Sequence, residues 1–372
     1  MDQSHRSGGR FDLTPSRLKV ARQRRAMTIV GLSQASGVPA RTLSAWENAH
    51  HSPRQAAVLK IASVLSVAPE FLSGEDVDLL PPEAVSFRKL SRTTAGRRDA
   101  ALAAGRMAIE IAEWIALRFH LPQPEVPTLE KHLPETAAEM VRQRWGLGQR
   151  PVSNVVHLLE SRGVRVFSLA HDCRDVDAFS LTWSEVPFVF LNVSRSAERQ
   201  RFDAAHELGH LVLHAAAERV QGRDLEREAN RFAAAFLMPA RGVIAQGLRE
   251  ATVDRILAAK RHWTVSAMAM THRLHELRLL TDWNYRSTCI ALSKLGYRSA
   301  EPGGARPEVS QVLTKVFASL RGSGGVESMA SSLGLTSEEI SRHGFGLVPI
   351  ALAGGRARSP RRGELTLVQT SP

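Results

Sequence analysis

The sequence predicts an α+β fold, mostly helical, in three successive parts: an all-α N-terminal domain with a helix-turn-helix, a domain with a small antiparallel sheet and an HExxH helix, and C-terminal helices. Three observations support that expectation. Capped-proline helix starts at Thr14–Pro15 and Ser52–Pro53 punctuate the first 72 residues. Short β-rich runs occur at 163–169, 178–183 and 187–193. The stretch 202–214, FDAAHELGHLVLH, carries two histidines one helical turn apart.

Composition narrows the function. The chain of 372 residues has a net charge of +12, which favours a polyanionic partner. Residues 1–72 hold ten Lys/Arg and four Asp/Glu, a balance of +6, so half the excess lies in roughly a fifth of the chain. No run of eighteen apolar residues and no signal peptide is present, so no membrane association and a cytoplasmic location are expected. Two cysteines, Cys173 and Cys289, cannot form a disulfide framework or a cysteine zinc site.

Within the N-terminal part, helices are expected over 14–25, 28–36, 39–48, 52–65 and 69–72, with Gly37 turning the chain between the second and third. Two short helices around a glycine turn in a basic bundle form a helix-turn-helix pattern. The run LSQASGVPARTLSAWENAHHSPRQAAVLKIASVL resembles the Xre, or lambda-repressor-like, family, including the Trp46–Glu47 pair and the proline-led fourth helix. The resemblance implies binding of double-stranded operator DNA, with Ala40, Arg41 and Ser44 facing the major groove. Arg22, Arg24 and Arg25 would sit nearer phosphates. Val38–Pro39 departs from the serine or threonine cap usual there. The plain alternative is a helical protein-binding module with a solvated basic face.

This organisation gives a disordered tail at 1–14, the helix-turn-helix domain at 15–74, and a connector at 75–127. The connector holds one long alanine-rich helix, 100–119, ended by three prolines in 121–127. Its apolar side suits either packing on the first domain or a homodimer seam.

The HExxH of His206, Glu207 and His210 puts two imidazoles on one helix face, the spacing that holds a zinc ion, with the glutamate leaning toward the open coordination position. His214 cannot join His206 on the same ion, since eight helical residues rise about 12 Å. In the next segment, Leu225, Ala229, Phe232, Ala233, Phe236 and Leu237 form one apolar stripe. Glu226 falls within that stripe, where a carboxylate needs a partner, and is the expected third ligand. Glu228 falls at its margin, where a solvated charge is expected. Asn230, one turn beyond Glu226, is suited to hydrogen-bond a ligand histidine.

RFDAAHELGHLVLH followed by EREANRFAAAFLMP resembles the ImmA/IrrE metallopeptidase family, M78-type and gluzincin-like. The resemblance implies a zincin-like domain over 128–240 that cleaves a repressor-type protein, either this chain or a separate regulator. In that chemistry His206, His210 and Glu226 hold Zn2+, Glu207 is the catalytic base, and His214 is a candidate oxyanion stabiliser. The strand at 188–193 would border the cleft and pair with substrate backbone. Asp203 departs from the uncharged residue usual there and is expected to be a helix-start charge.

A C-terminal helical region is expected over 241–350. It includes a second helix-turn-helix pattern at 252–279 and a glycine joint at 322–325, ahead of a disordered tail at 351–372. Two other readings fit parts of the chain. One is a regulator whose zinc domain senses without cutting. The other is an Xre-type antitoxin, which leaves the HExxH unexplained.

Overall fold

A computed structural model describes residues 11–81, 94–169, 176–215, 222–321 and 324–348. The expected tail at 351–372, most of the one at 1–14, Cys173 and part of the glycine joint at 322–325 lie outside those residues. The described residues divide into two compact units, one of 11–81, 94–120 and 313–348, the other of 121–312.

The first unit opens with α1 (Pro15–Arg24), α2 (Ile29–Ser36), α3 (Ala40–Glu47), α4 (Gln55–Leu65) and α5 (Pro69–Leu72). Leu18, Leu32, Leu43, Val58, Ile61 and Leu65 point inward from successive helices and are fully buried. Thr28 caps α2 by accepting from the Gly31 amide at 3.0 Å, and Gly37 ends it with a left-handed φ of 71°. Pro39 begins α3 with no side-chain cap. Residues 11–14 are tied down, with Phe11 N donating to Pro53 O at 2.9 Å and Thr14 N to Leu72 O at 2.8 Å. The long helix α6 (Ala95–Ala116) packs on α1, where Arg17 pairs with Glu110 at 2.9 Å. Its apolar side is therefore used inside the unit, the first of the two alternatives open to it.

The second unit contains α7 (Pro134–Arg144), α8 (Val155–Ser161), β1 (Arg165–Ser168), β2 (Ala178–Trp183) and β3 (Val186–Leu191). The sheet order is β1-β3-β2, with β2 antiparallel to β3 and β1 parallel to it. The expected antiparallel sheet is thus mixed. The hairpin turn at Ser184–Glu185 has both φ values positive, 47° and 65°, which fixes β2 against β3. β1 then takes the other side of β3. The unbroken apolar run of β3 matches this central place, since a strand flanked on both edges and covered on both faces needs no polar alternation. The expectation that 188–193 pairs with substrate backbone is overturned, because both edges of β3 are already occupied. Among the described residues, the free edges belong to β1 and β2.

After the sheet come α9 (Ala197–Leu213), α10 (Arg223–Leu237), α11 (Ala240–Ala245), α12 (Val253–Trp263), α13 (Ala267–Glu276) and α14 (Asp282–Lys294). α9 packs on β2 and β3 and is crossed by α10. The turn between α12 and α13 runs through Thr264 at φ 53°, and Ser266 caps α13 through the Ala269 amide at 3.0 Å, in keeping with the expected second helix-turn-helix pattern. Two carboxylates, Glu308 buried and Glu301 half-buried, then hold the non-helical chain at 301–310. Glu308 pairs with Arg201 and accepts from Val155 N and Val156 N at 2.8 and 3.0 Å, and Glu301 pairs with Lys260 at 2.6 Å.

The chain returns to the first unit through α15 (Gln311–Leu320), α16 (Gly325–Leu333) and α17 (Ser337–His343). The region expected as one block over 241–350 therefore divides at 312–313. Gly334, at φ 62°, lies so close to Phe71 that a Cβ would stand 2.5 Å from the Phe71 amide nitrogen. Its carbonyl accepts from Ala68 N at 2.9 Å.

Candidate metal centre

The site is built where α10 crosses α9. Ser196 caps α9 through the Arg199 amide, and the helix runs unbroken past His210. Gly209 allows the crossing: a Cβ there would stand 3.1 Å from a Phe232 ring carbon and 3.2 Å from Ala229 Cα. The absent side chain lets the first turn of α10 bring Glu226 to the histidines.

His206 Nε2 and His210 Nε2 stand 3.0 Å apart, and Glu226 carboxylate oxygens lie 3.4 and 3.3 Å from them respectively. Donors around a tetrahedral zinc with bonds of about 2.0–2.1 Å are roughly 3.3–3.4 Å apart, so the three residues fit such an ion. Among the described residues, this is the one cluster of three or more His, Cys, Asp or Glu side chains close enough to share a metal. Burial by itself would raise the Glu226 pKa, but the two facing imidazoles more than offset this and hold it well below the usual carboxylate range.

Glu207 is 1% exposed, and its Oε2 accepts from Ser180 Oγ on β2 at 2.8 Å. Sequence reasoning did not single out Ser180. It lies 27 residues away on a strand, and no local pattern marks a serine as the partner of a distant carboxylate.

Other expected residues sit differently. His214 lies behind His210, away from the ligand atoms: its Nδ1 is 3.1 Å from His210 Nδ1 and its Nε2 is 2.9 Å from Glu228 Oε2. Both ring nitrogens are thus engaged, which removes the oxyanion role expected of it. Desolvation lowers its pKa, with Glu228 opposing. Glu228, expected as a solvated charge, is its partner. Asn230 donates to the Glu226 carbonyl at 2.7 Å rather than to a histidine. Asp203 is buried in mid-helix and pairs with Arg199 at 3.0 Å, so it is not a helix-start charge.

On the helix-turn-helix, Arg41 and Ser44 are exposed on α3 and Ala40 is half-buried. The three arginines expected near phosphates are internal fasteners. Arg22 forks onto Glu47 at 2.6 and 2.9 Å, tying α1 to α3. Arg24 is 1% exposed and pairs with Glu339 of α17 at 2.5 Å. Arg25 donates to the Leu65 carbonyl at 2.8 Å and to Glu339 at 3.0 Å. Arg24 is buried against its carboxylate, and half-buried Arg22 and Arg25 are committed to carboxylates within the unit rather than left open for a phosphate. Arg54 and Lys60, on the exposed side of the fourth helix and its start, are open cations that the sequence reading passed over.

The chain matches the family model for a helix-turn-helix over residues 18–72 and the one for an IrrE N-terminal-like domain over residues 159–275. The chain thus carries a helix-turn-helix domain and an IrrE N-terminal-like domain. No curated protein matches it. The IrrE-like match runs from the end of α8 to α13 and includes His206, Glu207, His210 and Glu226. The helix-turn-helix match ends at Leu72, so α6 and α15–α17 are additions to that module within the same unit. Among the described residues, no helix is long and apolar enough to cross a membrane.

Proposed function

We propose that the chain is an operator-binding transcriptional regulator whose IrrE-like domain is a zinc-dependent endopeptidase acting on a repressor-type protein, this chain or a partner. The observation that carries this reading is the convergence of His206, His210 and Glu226 beside Glu207 on the same helix. A zinc ion held by the three ligands supplies Lewis acidity toward a peptide carbonyl and a water. Glu207 takes the proton of the attacking water and returns it to the leaving amine. Ser180 orients the Glu207 carboxylate, and the free edge of β2 aligns the substrate backbone beside it. On the DNA side, Arg41 and Ser44 read the major groove, while Arg54 and Lys60 neutralise phosphates.

One observation favours a second reading, a sensor that does not cut. Glu207 is 1% exposed and one of its oxygens is already held by Ser180. Glu207→Gln separates the two. A peptidase variant of this kind keeps zinc and operator binding but loses both substrate fragments and derepression. Normal derepression with no fragments would overturn the peptidase reading, because ligand-driven conformational change needs no proton shuttle.

A further inference from the structure

We propose that Glu228 and His214 form a directional hydrogen-bond relay that orients His210 as a metal ligand. The inference rests on the metal-binding part of the proposed function. His210 Nε2 is the nitrogen that faces His206 and Glu226, so it is the one whose lone pair would meet a cation. A neutral imidazole that ligates through Nε2 carries its proton on Nδ1. That Nδ1 is 3.1 Å from His214 Nδ1, so it donates there, and His214 must accept with that nitrogen.

His214 then carries its own proton on Nε2, which lies 2.9 Å from Glu228 Oε2 and donates to it. The opposite tautomer of His214 would set two N–H groups against each other and turn a lone pair toward a carboxylate. Only one order of donors therefore satisfies both buried rings: His210 to His214, and His214 to Glu228. Spacing in the sequence makes the relay possible, because residues 206, 210 and 214 recur every four positions, the first two on one face of α9 and His214 at its C-terminal cap. Glu226 and Glu228, two positions apart on α10, divide the work. Glu226 meets the ligand nitrogens, and Glu228 anchors the ring behind them.

Outer partners of ligating histidines typically change metal affinity about 10–100-fold. The test uses full-length protein, zinc competition against a chromophoric chelator, and the visible absorption of the cobalt-loaded form. Glu228→Ala and His214→Phe are expected to weaken zinc binding by about tenfold or more and to shift the cobalt bands, with the melting curve of metal-free protein unchanged. Glu228→Gln keeps an acceptor oxygen and should recover part of the loss. Glu228 is half-exposed, so its variants fold even if His214→Phe does not. Zinc affinity and cobalt spectrum unchanged in Glu228→Ala would overturn the relay alone. A wild-type chain that binds no zinc would overturn the metal reading beneath it.

Discussion

At the residue scale, two buried carboxylates show what a single partner decides. Glu207 keeps one oxygen on Ser180, and a hydrogen bond to a charged group contributes about 1.5–3 kcal/mol. Ser180→Ala should leave zinc content unchanged and slow cleavage on the order of tenfold, measured by fragment yield against bound metal. An unchanged rate would show that Glu207 needs no such holder. Glu339 sits among His343, Arg24 and Arg25. Burial alone would raise its pKa, but these partners outweigh burial and depress it far below its ordinary 4.5. The unfolded chain then takes up a proton more readily than the folded one, so this contribution to stability is complete well above pH 4.5 and declines as pH falls below it. Urea midpoints between pH 7 and 3.5 should fall more steeply for wild type than for Glu339→Gln, which starts lower because Arg24 loses its counter-charge. Parallel curves would remove Glu339 from the acid response.

At the scale of elements, the centre depends on how closely α9 and α10 approach. The glycine of HELGH, Gly209, has no Cβ, and α10 occupies that space with Phe232 and Ala229. Arg142 of α7 fixes the other end of α10 by donating to the Phe236 carbonyl at 2.5 Å, and burial pushes its pKa down to about 10. Gly209→Val should drive the two helices apart, costing about 1–3 kcal/mol of overpacking. Glu226 then moves away from His206 and His210. Zinc affinity should drop well before the fold is lost, which calorimetry of apo and zinc-loaded protein would register as a smaller metal-induced rise in Tm. An equal rise in both proteins would show that the contact does not set the ligand geometry.

For the whole molecule, α15–α17 belong to the unit that carries the helix-turn-helix. Arg24 has a side chain with no exposure, and its partner is 315 residues away at Glu339. Removing one member of such a buried pair costs about 3–5 kcal/mol, comparable with the stability of a small domain. Deletion of residues 313–372 should therefore abolish operator binding, with loss of the melting transition of the first unit, while zinc binding by the second survives. Retention of operator affinity by the truncated chain would show that these helices are dispensable to the reading head.

Local chemistry made much of this legible in the sequence. The i, i+4 histidines, the carboxylate on the apolar stripe of α10, and the proline that opens α1 are short-range patterns, and their spacing implies which face or turn they occupy. The caps expected with the two prolines did not form: Thr14 donates to the Gly74 carbonyl instead, and α4 starts at Gln55 behind Arg54, past Ser52–Pro53. The order of three strands is not short-range: β1, β2 and β3 follow one another in the chain, yet β3 lies between the others. Nor does composition distinguish an arginine that meets a phosphate from one buried on a carboxylate, as Arg22, Arg24 and Arg25 show. Glu228 and Ser180 acquired partners 14 and 27 residues away only when helix crossed helix and strand met helix. Spacing in the sequence placed most helices and brought the three candidate metal donors to light, because both recur at helical period. Tertiary packing alone decided which charges were left for DNA and which residues stand behind the ligands, because those depend on contacts between segments that no local period connects.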